Sequence, residues 1–178
     1  MEKYALFIFA MLFTTGTAMA KDNLNGQQFL ADKEGNIDII YTVKNGYLVG
    51  EYVRYNYLYP DCMPCIKITS VNSTWHYEIY DDVNCTPIFI GTSPREPINL
   101  NKHGTKKIEV DETTIFYLGR EENCTTIEGY GTIFETYHLK DKLEDITTIT
   151  HTGKVKITIC VMSVLNGISY INVVVTPI

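Results

Sequence analysis

Two stretches of alternating side chains, joined by Asn45-Gly46, constrain this chain more than any other feature. Ile37, Ile39, Tyr41 and Val43 alternate with Asp38 and Thr42, and the pattern resumes from Tyr47 through Val49, Val53 and Tyr55. A period of two sends successive side chains to opposite faces of an extended strand. Asn-Gly tolerates positive φ at both central positions of a tight turn, and such a turn matches the twist of the strands it joins. The segment therefore predicts an antiparallel hairpin.

The same grammar recurs along the chain. Ile66 and Ile68 lead to Asn72-Ser73, after which Trp75, Tyr77 and Ile79 alternate with His76 and Glu78. Asp81-Asp82-Val83-Asn84 then ends the strand with turn-forming residues. Near the carboxyl end, Val155, Ile157, Ile159 and Val161 alternate with Lys154, Lys156 and Thr158; Asn166-Gly167 turns the chain into Ile171, Val173 and Val175. Shorter extended runs fall at Ile88–Ile90, Ile108–Val110, Thr114–Leu118 and Gly131–Leu139. Thr92–Lys107, with Pro94, Pro97 and Gly104, reads as a surface loop. Leu139, Leu143 and Ile146 are spaced for one or two helical turns. Thirteen tyrosines suit a pleated surface. The expectation is an all-β fold, an antiparallel β-sandwich or partly open barrel with one short helical turn.

The amino end has the layout of an export leader. Lys3 is followed by the uncharged run Tyr4–Phe13, and Ala18-Met19-Ala20 offers small residues for cleavage. Residues 1–20 are expected to be a signal peptide, and 21–178 a single secreted or cell-surface β-domain. The leader's apolar run falls short of the roughly 20 residues that a bilayer span needs. Ile157–Ile178 is broken by Asn166, Gly167, Ser169, Tyr170 and Asn172, so no membrane span is expected in the mature chain.

Cys62, Cys65, Cys85, Cys124 and Cys160 all lie after the leader, and an oxidising compartment would pair them as disulfides. Five is odd, so at most two bridges form within one chain, and the reading pairs Cys85 with Cys62 or Cys65. Cys62-Met63-Pro64-Cys65 also has the spacing of a thiol–disulfide exchange site. That chemistry wants its first cysteine at a helix start, yet strand-like Ile66-Lys67-Ile68 follows. Tyr77–Thr86 and Phe116–Thr125 are alike, each an aromatic strand, an acidic turn and a cysteine. Asn72, Asn84 and Asn123 each begin an Asn-x-Thr acceptor sequence inside an expected turn.

A formal net charge of -6 argues against a nucleic-acid partner. His76, His103, His138 and His151 are scattered, the acidic pairs lack a calcium-loop pattern, and no cofactor motif occurs. No metal or cofactor is expected. Tyr55, Tyr57 and Tyr59 share one strand face near Arg54 and Asn56, and aromatic rings beside such donors suit a glycan or protein partner. The leading expectation is a non-enzymatic binding domain. Its rivals are an exported enzyme, using Cys62 and Cys65 or dispersed acids, and a secreted inhibitor or effector acting through residues 92–107.

Overall fold

The computed structural model describes residues 25–55, 64–81, 83–100, 105–109, 115–119, 124–139, 141–165 and 168–178, with 105–109, 115–119 and 162–165 as backbone. Eleven strands follow in chain order: β1 Gly26–Ala31, β2 Ile37–Lys44, β3 Tyr47–Arg54, β4 Ile66–Val71, β5 Thr74–Tyr80, β6 Pro87–Pro94, β7 Thr105–Glu109, β8 Ile115–Gly119, β9 Cys124–Leu139, β10 Glu144–Leu165 and β11 Ile168–Pro177. Nine of them form one antiparallel sheet, curled into a half-barrel, in the order β1-β2-β3-β4-β5-β6-β9-β10-β11; β7 and β8 pair apart from it. Of the two expected architectures, the curled sheet is the one formed.

Alternation sets the inside of the curl. Ile39, Tyr41, Tyr52, Ile68, Trp75, Tyr77, Phe89 and Ile157 are all essentially sealed from solvent and join one core. Burying each such side chain contributes roughly 1.5–3 kcal/mol. The Asn45-Gly46 hairpin forms as expected, with φ of 50° and 80° at its two turn residues. Asn72 takes φ 54° in the turn between β4 and β5. Asn166-Gly167 lies outside the described residues, although Leu165 and Ile168 on either side are paired.

Two expectations change. Thr92–Pro94 completes β6, and the segment after it is pinned to the barrel rather than looped into solvent. Ile98 and Leu100 are buried, Leu48 N donates to Ile98 O at 2.9 Å, and Leu100 N donates to Gly46 O at 2.8 Å. The prolines that suggested a loop stop strand pairing, but the apolar side chains between them still seek the core. Leu139 ends β9, residues 141–143 turn, and Glu144–Ile146 already belong to β10, so the expected helical turn is a hairpin. Lys142 N and Leu143 N both donate to Leu139 O, and strand pairing resumes at Glu144 opposite Leu139.

The curl is closed along one seam by side chains. Tyr52 Oη donates to Ser169 O at 2.9 Å and accepts from Ile171 N at 3.3 Å. Tyr41 Oη accepts from Ser169 N at 2.9 Å, and Arg54 Nη1 donates to Ile171 O at 3.0 Å. Groups of β2 and β3 thus saturate backbone of β11 that a neighbouring strand would otherwise take. The Tyr41 and Tyr52 rings stack with centroids 5.3 Å apart, which fixes the hydroxyls in place.

On the far side, three glycines line up across adjacent strands: Gly91 opposite Gly131, and Gly131 opposite Gly153. The Phe89 ring fills the space. A Cβ at Gly131 would lie 2.4 Å from Phe89 Cε2, and one at Gly91 would lie 2.5 Å from Tyr130 O. Strand backbones can approach this closely only without side chains, and a sheet bends where they do. Past this corner β9 and β10 continue as a ribbon, from Phe134 opposite Ile149 to Leu139 opposite Glu144. The β10 side of that ribbon, residues 144–150, is exposed throughout.

Candidate functional site

β6 and β9 pair only from Phe89–Thr92 to Tyr130–Ile133. Beyond Thr92 the two strands are no longer in ladder register, and Pro94 has no N–H to extend a ladder. An open cleft of about 540 Å³ lies at this fork on the outer face, lined by Thr74, Thr92, Glu128, Gly129, Tyr130 and Lys154 among others. The register explains the grouping. Thr92, Tyr130 and Lys154 are directly opposite one another on β6, β9 and β10, and they alternate with the inward Ser93, Gly129 and Val155.

Tyr130 is 59% exposed, so its ring is a free platform rather than a core side chain. It sits between Gly129 and Gly131, with no side chain on either neighbour to crowd it. Glu128 and Lys154 are exposed beside it and offer an acceptor and a donor. Thr74 adds a hydroxyl, which donates to Val71 O at 2.8 Å and also meets His76 Nε2 at 3.2 Å. An apolar ring face with a rim of hydroxyl, carboxylate and ammonium groups matches a pyranose, which has C–H groups on one face and hydroxyls around its edge.

A smaller cleft of about 340 Å³ beside Trp75 is a structural joint. Trp75 is 1% exposed, its Nε1 donates to Glu96 O at 2.9 Å, and the Arg95 guanidinium lies 5.3 Å from its ring centroid. The single tryptophan anchors residues 95–100 and has no face left for a ligand.

The residues singled out from sequence are scattered. Tyr55 is half-buried, with its N–H donating to Asp38 O at 2.8 Å just beyond β3. Tyr57 and Tyr59, and with them the proposed aromatic face, lie outside the described residues, as do Cys62 and Asn123. Cys124 and Cys160 are directly opposite on β9 and β10 and form a disulfide. Cys65 is 2% exposed and carries no disulfide; Arg54 Nε donates to its sulfur at 3.3 Å, and its thiol points to Arg54 O at 3.2 Å. It directly precedes strand β4, not a helix. Cys85, half-buried at φ 55°, belongs to a turn that Asp81 holds by accepting from Val83 N and Asn84 N. The likeness of residues 77–86 to 116–125 therefore does not extend to role, because Cys124 begins a long strand and Cys85 ends a turn.

Asn72 and Asn84 are exposed in turns, so their side chains reach solvent. His138 Nδ1 meets Asp145 Oδ1 at 2.7 Å across the ribbon, and Tyr137 donates to Glu135 on the same arm. Among the described residues no three His, Cys, Asp or Glu side chains converge as metal ligands, and no helix is long and apolar enough to cross a membrane. Sequence reading missed Tyr130, Glu128 and Lys154. The one available signal was Gly129-Tyr130-Gly131, an aromatic side chain isolated between two glycines. No family model matches this chain, and no curated protein or solved structure does either.

Proposed function

We propose that this chain is an exported, non-enzymatic β-domain that binds a glycan through the cleft around Tyr130. The observation that carries the reading is the exposed Tyr130 ring, 59% accessible and bordered by Thr92, Glu128 and Lys154. Pro94 and Ile178 add apolar surface beside the ring, and Thr92, Glu128 and Lys154 supply the few polar groups that would orient a sugar. Export is supported by the leader-like residues 1–20 and by the Cys124–Cys160 disulfide, a bond that persists in oxidising surroundings. Asn72 and Asn84, exposed in turns, would carry glycans if the source cell glycosylates secreted proteins.

The test is a panel of neutral and acidic oligosaccharides presented to the mature chain and to Tyr130→Ala. Stacking of this kind is worth about 0.5–1.5 kcal/mol, so affinity should fall by up to about tenfold while the far-ultraviolet spectrum stays unchanged. Glu128→Gln and Lys154→Met should alter which sugars are retained. Capture that is absent from the whole panel, or equal in wild type and Tyr130→Ala, rejects the glycan site.

A further inference from the structure

Ser73 and Thr74 form one wall of the Tyr130 cleft, and they are also the second and third residues of the acceptor sequence Asn72-Ser73-Thr74. Asn72 itself is exposed in the short turn that joins β4 to β5, at φ 54°. That turn is held beside the fork, because Arg95 N donates to Ser73 O at 3.1 Å and Thr74 lies directly opposite Pro94. Asn84 is at the other end of the β5–β6 pair, past the point where Tyr80 lies opposite Pro87. Among the described acceptor asparagines, only Asn72 borders the cleft.

We propose that Asn72 carries an N-linked glycan whose innermost sugars fold back onto the Tyr130 ring, so that the chain's own carbohydrate is the resident occupant of the cleft. The proposal rests on reading this cleft as a glycan site, and adds what fills and regulates it. Attachment is a group transfer from a lipid-diphosphate-linked oligosaccharide in the secretory membrane. The Asn72 side-chain nitrogen bonds to the anomeric carbon, the C–O bond to the diphosphate breaks with its electron pair, and the amide gives up one proton.

The span suits a short oligosaccharide. β5 and β9 are separated by β6 alone, two strand spacings or about 10 Å. Tyr130 lies opposite Thr92, and Thr92 lies opposite His76, two residues along β5 from Thr74. The innermost sugar of such a glycan is an N-acetylated pyranose without charge. Its C–H face suits the Tyr130 ring, and its hydroxyls find an acceptor in Glu128 and a donor in Lys154. A short tether raises the local sugar concentration to the millimolar range. A stacking contact of about 0.5–1.5 kcal/mol, too weak to hold a free sugar, then retains an attached one. External sugars must compete with this occupant for the same ring.

The chain secreted from a glycosylating eukaryotic cell is compared with Asn72→Gln from the same cell. Mass spectrometry reads occupancy at Asn72, and hydroxyl-radical footprinting reads the Tyr130 ring against Tyr137, which is 53% exposed on the arm. Wild type should carry a glycan at Asn72, and its Tyr130 should be oxidised about twofold or more slowly than in Asn72→Gln, with Tyr137 equal in both. Asn84→Gln should leave Tyr130 as protected as in wild type. Enzymatic release of the glycan from folded wild type should expose Tyr130 as Asn72→Gln does, which makes the comparison without a variant. Oligosaccharide capture should be stronger in Asn72→Gln than in the glycosylated chain. An unmodified Asn72, or a Tyr130 oxidised equally with and without the glycan, overturns the proposal. If Asn72→Gln still captures sugars through Tyr130, only the self-occupancy falls; if it captures none, the glycan site falls with it.

Discussion

Tyr52 shows how much one hydroxyl can do when its ring has no freedom. The ring is fully buried against Tyr41, and its oxygen serves both a carbonyl and an N–H of β11. Tyr52→Phe keeps the packing but leaves Ser169 O and Ile171 N without that partner, at a cost of about 1–3 kcal/mol in a urea titration. Burial raises the Tyr52 phenol well above its ordinary value, with Arg54 pulling weakly the other way, and burial pushes Tyr77 up to about 12 against the opposing hydrogen bond from Ser93. Both must stay protonated in the folded chain. Their contribution is complete below pH 10, near where an unfolded tyrosine ionises, and is lost as pH rises toward 12 and beyond. Stability measured between pH 9 and 12 should therefore decline, and Tyr52→Phe should decline less steeply; equal slopes would mean that Tyr52 ionises freely. None of this was readable from sequence, where Tyr41 belonged to an alternating strand and Tyr52 fell outside the pattern Tyr47, Val49, Val53 and Tyr55. The partners are more than 100 residues away, and only the closed curl brings them together.

Elements with local instructions were legible, and those shaped by distant packing were not. The Asn45-Gly46 turn is written in adjacent residues, but the inward face of β3 was not: the pattern began at Tyr47, which is exposed, whereas Leu48 and Tyr52 are sealed in the core. Residues 95–100 carry prolines that read as a loop, but Ile98 and Leu100 reach a core built by other strands. Leu139, Leu143 and Ile146 have helical spacing, yet Ile146 and Tyr137 sit opposite each other on one ribbon face. The glycine corner likewise required knowing that β6 and β9 are neighbours, which skips β7 and β8. At Gly131 an added methyl would press on Phe89 Cε2 at 2.4 Å and Ile90 O at 2.6 Å. Gly131→Ala should lower stability by about 1–3 kcal/mol in chemical denaturation. An unchanged midpoint would show that the corner has room to relax.

For the molecule as a whole, the all-β class followed from the spacing of turns, but the choice of a curled sheet over a sandwich and the cysteine pairing did not. A disulfide depends on which Cα atoms meet, and the Cys124–Cys160 pair arises from a β9–β10 register extending over the full ribbon. The bond closes 36 residues of chain, so chain-entropy arguments give it about 4 kcal/mol. Replacing both cysteines by serine should lower the denaturation midpoint accordingly while the Trp75 environment, followed by fluorescence, remains native before unfolding. A midpoint that does not move would mean that the unfolded chain keeps this hairpin without its covalent tie.

That bond ties the end of the β9–β10 pair opposite to the arm, beyond the barrel segment, and every residue of the arm lies between its two cysteines. A protease that cuts at the arm's exposed tip, for instance after Lys142, therefore severs the polypeptide without releasing a fragment. The outermost part of the protein can be damaged while the two halves remain one covalent body, held at the far end of the same strand pair.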